Sequence, residues 1–440
     1  MPEAVYQVMT LLCGLVAPLP IGTNLGLLHL LWMLVSGHLL GSRGALLPGL
    51  GEAGLTDGEM RRAWAALGHG VWAIENLLRR WRQQVEQAGA WQPHRHGGYR
   101  PLAVDVTAFW RPRLHGCPTA HYSAAAGKAL PAIPIGIVAR VGSAAGQRLA
   151  LPLGLVRADP ADPSPRAHLR RLVEAAVAQC APADVVVVDR EFGVALLHAG
   201  GAQRYVARLP KNFTARRATP PPYGGRGRPP TRGAVVRPLP RQRRGRTVPA
   251  TPPDQVITWT EGATVVRAEV WTTLVLPLAA PGSPTFSVLA VRDPRYREPL
   301  LLATSLDVPP QAVRDLYRDR WPVEQLPLAA KQMLGAARQF VHAPETCQRL
   351  PELALLAGAV LSYVAATQPA TPTGFWDRQP RPTPGRLRRV LARCRFPHDF
   401  PLPARLRAKQ AVTDHLPKGF FGQRRSPATA PAATPAAQAA

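Results

Sequence analysis

Between residues 165 and 189 the apolar positions change period, and the change predicts two successive elements. Leu169, Leu172, Val173, Ala176, Val177 and Cys180 recur at the i, i+3, i+4, i+7, i+8 and i+11 positions of one helical face. The run DVVVVD (184–189) that follows is continuous rather than alternating, which predicts a short strand buried on both faces of a sheet with parallel pairing. Upstream, LAVDVTAFW (102–110), PAIPIGIVARVG (131–142) and QRLALPLGLVRA (147–158) are β-rich and separated by glycine-containing turns. Downstream, EFGVALLHAG predicts a helix and RYVARL a strand. Three strands, helix, buried strand, helix, strand is the order of a mixed α/β sheet.

The flanking regions follow other patterns. The run LGLLHLLWMLVSGHLL (25–40) is shorter than the roughly 20 residues a membrane span needs and carries two histidines, so it is expected as a buried helix. In TDGEMRRAWAALGHGVWAIENLLRRWRQQVEQ, Thr56 and Glu59 have capping-box spacing, and Gly68 and Gly70 separate two helices. Val71, Ile74, Leu78, Trp81 and Val85 form one stripe of the second, leaving Arg79, Arg80 and Arg82 to other faces. Helix, glycine turn and basic helix suit either a DNA-reading unit or an ordinary bundle. Residues 215–253 contain ten arginines and no acid, and their prolines forbid long helices or central strands, so an extended, partly disordered basic insertion is expected. Strands resume over 255–293, which places a small β-subdomain in the insertion. QAVRDLYRDRW (311–321) and LPELALLAGAVLSYVAAT (350–367) are helices. The resulting division is a helical segment over 1–97, an α/β domain over 98–370 with its insertion at 214–293, and a basic, proline-rich, partly disordered tail over 371–440.

Charge narrows the partners. Lysine and arginine number 54 against 27 acids, a formal charge of +27, and such a field suits a polyanion, most simply nucleic acid. The abundance of arginine, alanine and proline is also what GC-rich coding produces, but the charge favours the nucleic-acid reading. Cys13, Cys117, Cys180, Cys347 and Cys394 lie far apart without a C-x-x-C pair, which argues against a cysteine zinc site or a disulfide framework. MPEAVYQ lacks the basic region of a secretory signal. A cytoplasmic protein, associated with the nucleoid when bound and with no membrane partner, is the expectation.

In so basic a chain, acids in apolar settings stand out. Asp105 sits mid-strand between Val104 and Val106, Asp189 ends the valine strand, and Glu324 lies just inside a helix whose natural first residue is Pro322. Each has a structural reading as a hydrogen-bonded aspartate or a helix-start carboxylate. Together they have a chemical one, because two or three converging carboxylates suit Mg²⁺ or Mn²⁺ rather than zinc. His94 and His96 have H-x-H spacing, but no neighbouring cysteine or third ligand supports zinc there. Trp259 and Trp271 are expected in the core or stacked on a flipped base.

The stretch YRDRWPVEQLPLAAK (317–331) spaces Tyr317, Arg320, Glu324 and Lys331 as Y-x2-R-x3-E-x6-K. In all four positions it resembles one large group of bacterial insertion-sequence transposases of the DDE type. LAVDVTAFW and VVVVDREFG resemble that group's first and second aspartate regions, and RLPKNF the segment after the second. The resemblance spans about residues 100–365. It implies an RNase H-like catalytic core with a β-containing basic insertion, preceded by the helical N-terminal segment. It further implies Asp105, Asp189 and Glu324 as catalytic residues and ligands of two Mg²⁺ or Mn²⁺ ions. The implied activity is cleavage at the terminal inverted repeats of a mobile element and strand transfer to target DNA, by a protein at least dimeric when two ends are paired. Glu324 and Lys331, seven residues apart, would share a helix face roughly 10 Å apart along the axis. Tyr317, Arg320 and Lys331 are then candidate DNA contacts, joined by Arg190 and Lys211 near the second aspartate and by Arg241, Arg243, Arg244 and Arg246 in the insertion. Pro322 and Pro327 flank Glu324 and put the aim of its helix in question. The competing readings are a catalytically silent DNA-binding relic and an RNase H-like nuclease without strand transfer.

Overall fold

Before the first strand the chain runs through α1 (Glu3–Val16), α2 (Thr23–Val35), α3 (His38–Gly41), α4 (Leu46–Glu52), α5 (Asp57–His69) and α6 (Ile74–Ala88). These come from a computed structural model that describes residues 2–407 apart from 226–229, 231, 244, 281, 371 and 373. The capping box starts α5: Glu59 N–H donates to the Thr56 hydroxyl, and Thr56 N–H donates to the Glu59 carboxylate at 2.8 Å. On α6 the buried stripe is Ile74, Leu77, Leu78, Trp81 and Val85. Val71, expected on that stripe, is exposed, because Gly70 is extended and the chain does not turn helical again until Ile74. α2 is buried on almost every side, including His29, as its uniform apolarity requires.

The chain then forms β1 (Trp91–Pro93), β2 (Arg100–Trp110), β3 (Ala120–Ser123), β4 (Lys128–Ala144) and β5 (Gln147–Arg157), followed by α7 (Pro165–Ala178), β6 (Asp184–Val188), α8 (Gly193–Ala199) and β7 (Tyr205–Arg208). Short strands β8 (Ala215–Arg217), β9 (Val235–Val236), β10 (Arg241–Arg243) and β11 (Arg246–Val248) precede β12 (Gln255–Glu261), β13 (Thr264–Val275), β14 (Phe286–Arg292) and β15 (Leu300–Thr304). β5–β4–β2 pair antiparallel, β2–β6–β7 parallel, and β7–β15–β14–β13 antiparallel again, in one mixed sheet. The strands expected over 255–293 therefore extend the main sheet through β15 rather than standing apart as a subdomain. Within 215–253 the described residues make only short pairings, β8 with β13 and with β9, and the hairpin β10–β11, as the prolines dictate.

The valine run is buried on both faces. Val186 and Val188 pack with Leu172, Val173 and Leu197 of α7 and α8, while Val185 and Val187 face the opposite side with Val313 and Leu316 of α9 (Pro310–Arg318). After α9 come α10 (Pro322–Leu328), a π-helical turn over Ala329–Met333, α11 (Pro344–Thr367), α12 (Pro384–Leu391) and α13 (Ala404–Arg407). α11 is long and apolar enough to cross a membrane, yet its side chains are largely buried within the protein, and its wholly buried Glu352 is held by Arg157 of β5 at 2.6 and 2.7 Å. The N-terminal helices, α10, α11 and residues Ala103, Phe109, Ile135 and Ile137 of the sheet share one core. Part of the expected tail belongs to it as well. Leu387, Leu391, Phe396, Phe400 and Leu406 are buried there, with Phe400 against Tyr6 and Phe396 edge-on to His29 at 4.7 Å. Spaced apolar residues among the prolines and arginines give that segment enough to bury.

His29 yields a pH prediction. Burial pushes its imidazole down to about 4, with Glu59 pulling it up and Arg62 and His398 pushing it further down. The folded protein keeps the ring neutral where the unfolded chain takes up a proton, so this site's stability is complete above the unfolded pKa of 6.5 and falls as pH drops from there toward about 4. The slope approaches about 1.4 kcal/mol per pH unit. Urea denaturation at pH 7 and pH 5 is expected to give a smaller acid loss for His29→Leu than for wild type; equal losses would remove His29 as the cause.

Candidate active site

Two adjacent parallel strands bring the first two acids together. Val104 of β2 is in register with Val188 of β6, so Asp105, in the middle of β2, and Asp189, just past the end of β6, stand at the same level. Neighbouring strands lie about 4.7–4.9 Å apart. Because side chains alternate, both aspartates point away from the face that Val104 and Val188 present to α7 and α8, toward α9 and α10. Phe192 anchors the turn after Asp189 in the core and donates its N–H to the Asp189 carbonyl, and Gly193 supplies the left-handed residue that starts α8. At the opposite end of β6, Asp184 is an ordinary buried structural acid, paired with Arg100 at 2.7 Å and Arg140 at 2.9 Å. Asp105 forms no ion pair among the described residues.

Glu324 arrives from the other layer. Pro322 is the first residue of α10, so Glu324 occupies its first turn, as the sequence predicts. Arg320, in the turn between α9 and α10, is buried among all three acids. Its Nη2 donates to Glu324 Oε1 at 2.5 Å, and its charge acts on both aspartates. Burial opposes the guanidinium charge, but Tyr317, Asp105, Asp189 and Glu324 together raise its pKa. The Tyr317 hydroxyl donates to Asp189 Oδ1 at 3.1 Å, and Arg208 lies 3.5 Å from the same oxygen.

The two aspartates titrate in opposite directions. Burial pushes Asp105 up to about 6, against Arg320 and the Val106 N–H, and the negative charges of Glu324 and Asp189 push it further up. Burial acts on Asp189 too, but the Arg190 N–H, Arg320, Arg208 and the Tyr317 hydroxyl outweigh it and hold its pKa down. Neighbouring acids whose environments separate their pKa values are a mark of functional sites. Asp105, Asp189 and Glu324 are near enough for their charges to act on Asp105, and they offer only oxygen donors, the kind that suit a hard divalent cation.

Lys331 lies in an irregular turn. α10 ends at Leu328, one residue past Pro327, and the chain widens into the π-helical turn, where Leu334 N–H bonds back to the Ala329 carbonyl. Gly358 lets α11 approach this turn closely, since a β-carbon there would lie 3.1 Å from that of Ala329. The helix between Glu324 and Lys331 is therefore not regular α-helix throughout. The Lys331 ammonium lies over the rings of Trp110 and Phe109, at 4.9 and 5.2 Å from their centroids, on the strand that carries Asp105. Burial pushes its pKa down to about 8, with Asp105 pulling it back up.

The remaining candidates scatter. Arg190 is exposed beside Asp189, and Lys211 is exposed and paired with Glu298. Arg241 and Arg246 lie on opposite strands of the β10–β11 hairpin and Arg243 pairs with Arg246 in its backbone register, while Arg244 lies outside the described residues. Trp271 is core, its Nε1–H donating to the Thr251 and Pro252 carbonyls, and Trp259 is half-buried against Arg314. His94 and His96 do have a third partner, Asp319, more than 220 residues away along the chain. Only folding could reveal it, because no local spacing encodes it.

Residues 47–266 match the protein-family model described as DDE superfamily endonuclease, half of the chain. The matched segment contains Asp105 and Asp189 and ends before Glu324. No curated protein matches the chain.

The centre makes Arg320 a measurable stability determinant. Removing a buried cation from three acids leaves uncompensated charge, at a cost of roughly 3–5 kcal/mol. Arg320→Ala is expected to lose about that much in urea denaturation with EDTA present, and to recover more stability than wild type on addition of Mn²⁺. A variant as stable as wild type in EDTA would show that Arg320 does not compensate the acids.

Proposed function

Because the chain belongs to the DDE superfamily endonucleases, we propose that it is a transposase that cuts the terminal inverted repeats of a mobile element and joins them to target DNA. Membership by itself implies a nuclease with a DNA substrate and divalent-metal chemistry. The finer reading rests on one observation: Asp105 in the middle of β2, Asp189 just past the end of the parallel strand β6, and Glu324 of α10 lie around Arg320. The strand order β5–β4–β2–β6–β7, antiparallel then parallel, supports an RNase H-like core beneath them.

The donor set fits Mg²⁺ or Mn²⁺. Asp105 is held toward its protonated form by burial and by two neighbouring carboxylates, the situation that bound cations relieve. Asp105, Asp189 and Glu324 would hold the ions, which when bound supply activation of the attacking oxygen and neutralisation of the leaving one. The chain's own groups do the rest. Tyr317 and Arg208 fix the orientation of the Asp189 carboxylate, and Arg320 fixes Glu324. Lys331, held on an aromatic platform beside Asp105, offers its ammonium to a DNA phosphate. Arg190, Lys211 and the hairpin arginines add sequence-independent phosphate contacts around that centre. Pairing two element ends requires two protomers.

Asp105→Asn, Asp189→Asn and Glu324→Gln are each expected to abolish Mg²⁺-dependent cleavage of duplex carrying the element's ends while preserving DNA binding in a gel-shift assay. Cleavage in EDTA, or by any of the three variants, would sink the assignment. Wild-type cleavage without joined product would leave a nuclease that lacks strand transfer.

Neutralising Arg241 and Arg246 tests the hairpin. If both contact phosphate, the slope of log affinity against log salt falls by roughly 2, equally for specific and unrelated DNA. An unchanged slope would assign the hairpin to solvent.

A further inference from the structure

One cluster lies outside the acid centre. His94 Nδ1 and His96 Nε2 approach the same carboxylate oxygen, Oδ2 of Asp319, at 2.7 and 2.6 Å, and the three candidate donor atoms all lie within 4.8 Å of one another. We propose that His94, His96 and Asp319 form a binding site for a borderline divalent cation of the Zn²⁺ class, separate from the oxygen-lined centre, and that the ion pins the turn carrying Arg320.

The site is built, not fortuitous. Backbone bonds fix both histidines: His94 N–H donates to the Val141 carbonyl of β4, and His96 exchanges N–H···O bonds with Tyr99. Alternate residues of an extended segment project to the same side, so H-x-H spacing there presents both rings together. Gly97, at positive φ, packs the turn onto α9, where a β-carbon would lie 3.2 Å from that of Ala312. Asp319 caps the end of α9, buried, with its other oxygen, Oδ1, taken by Arg148 at 3.2 Å. That leaves Oδ2 as the single oxygen offered to an ion, with Arg148 as the outer partner that fixes the carboxylate's orientation.

The chemistry selects the ion. Two imidazole nitrogens and one carboxylate oxygen suit Zn²⁺, Co²⁺ or Ni²⁺, whereas Mg²⁺ prefers oxygen ligands alone. With Zn²⁺ about 2.0–2.1 Å from each donor in tetrahedral geometry, the donors would sit roughly 3.4 Å apart, so Oδ2 has less than an ångström to withdraw. Each ring then presents a lone pair instead of an N–H, its proton moving to the other nitrogen. Both histidine side chains are about one quarter exposed, which leaves a fourth position open to water. Asp319 immediately precedes Arg320. An ion bound there therefore holds the turn whose guanidinium sits among the three acids. The site itself stands independently of the proposed catalysis.

Calorimetry on the full-length protein, stripped of metal and kept in excess Mg²⁺, tests it with Zn²⁺ as titrant, and Co²⁺ absorption reports the ligand field. One Zn²⁺ is expected per chain. His94→Gln and His96→Gln are each expected to weaken it by more than the roughly 10–100-fold that an outer partner is worth, and Arg148→Ala by no more than that range. Asp105→Asn should leave Zn²⁺ affinity unchanged even if it abolishes cleavage. Hydrogen exchange over residues 315–325 should slow when Zn²⁺ binds. Absence of Zn²⁺ binding by folded wild type, or undiminished binding by both histidine variants, would leave a hydrogen-bonded clamp and overturn the site. Loss in Asp105→Asn would move the ion to the acid centre. Binding with unchanged exchange would overturn the pinning role.

Discussion

Holding three carboxylates together in a half-buried place is electrostatically unfavourable, and much of this protein is arranged around that difficulty. Asp105 and Asp189 are placed side by side by the register of two parallel strands, and neither can retreat without breaking the sheet. Glu324 approaches from a different layer. Arg320 is the shared cation, and its position depends on the short turn between α9 and α10. The turn is in turn held from several sides. Arg314 of α9 is buried and paired with Glu261 and Asp293, which fasten the helix to β12 and to the end of β14. Asp319 is gripped by His94, His96 and Arg148. Apolar packing of Val313 and Leu316 against the valine strand closes the layer from below.

The contrast with Asp184 clarifies what kind of site this is. Asp184 at the start of β6 and Asp105 on the adjacent strand β2 are both shielded from water to some degree. Asp184 has two arginines within hydrogen-bonding distance and a backbone N–H, so its charge is satisfied and it serves the fold. Asp105 has no close cation of its own and is pushed toward neutrality by its neighbours. A chain with twice as many bases as acids could easily have paired it. Leaving it under-compensated in the middle of β2, beside the carboxyl end of β6, is a cost to stability that makes sense where cations are to be bound.

Periodicity read the sheet well because its causes are local. A continuous valine run needs two apolar layers, and α7–α8 and α9 supply them. The capping box at Thr56 and the proline at the start of α10 are likewise written in adjacent residues. The misses share a cause too. Val71 follows the helical stripe in spacing but lies before the helix, because an extended glycine intervenes. The expected tail contributes Phe396, Phe400 and Leu406 to the core, since sparse apolar residues suffice when a groove between helices is waiting for them.

The sequence by itself singled out the candidates for the chemistry: scarce acids in apolar settings, and a spaced tyrosine, arginine, glutamate and lysine beside them. Residue type and local period are properties of a short stretch, so they survive in one dimension. Tertiary structure alone decided how those residues meet. The register that aligns Asp105 with Asp189 is fixed by hydrogen bonds between strands about 80 residues apart in the chain. Lys331 turns onto Trp110 because α11 presses against a helix already loosened after Pro327. Asp319 finds His94 and His96 only when α9 docks against the segment between β1 and β2, and contacts across such separations are set by the packing of whole layers, which no local spacing records.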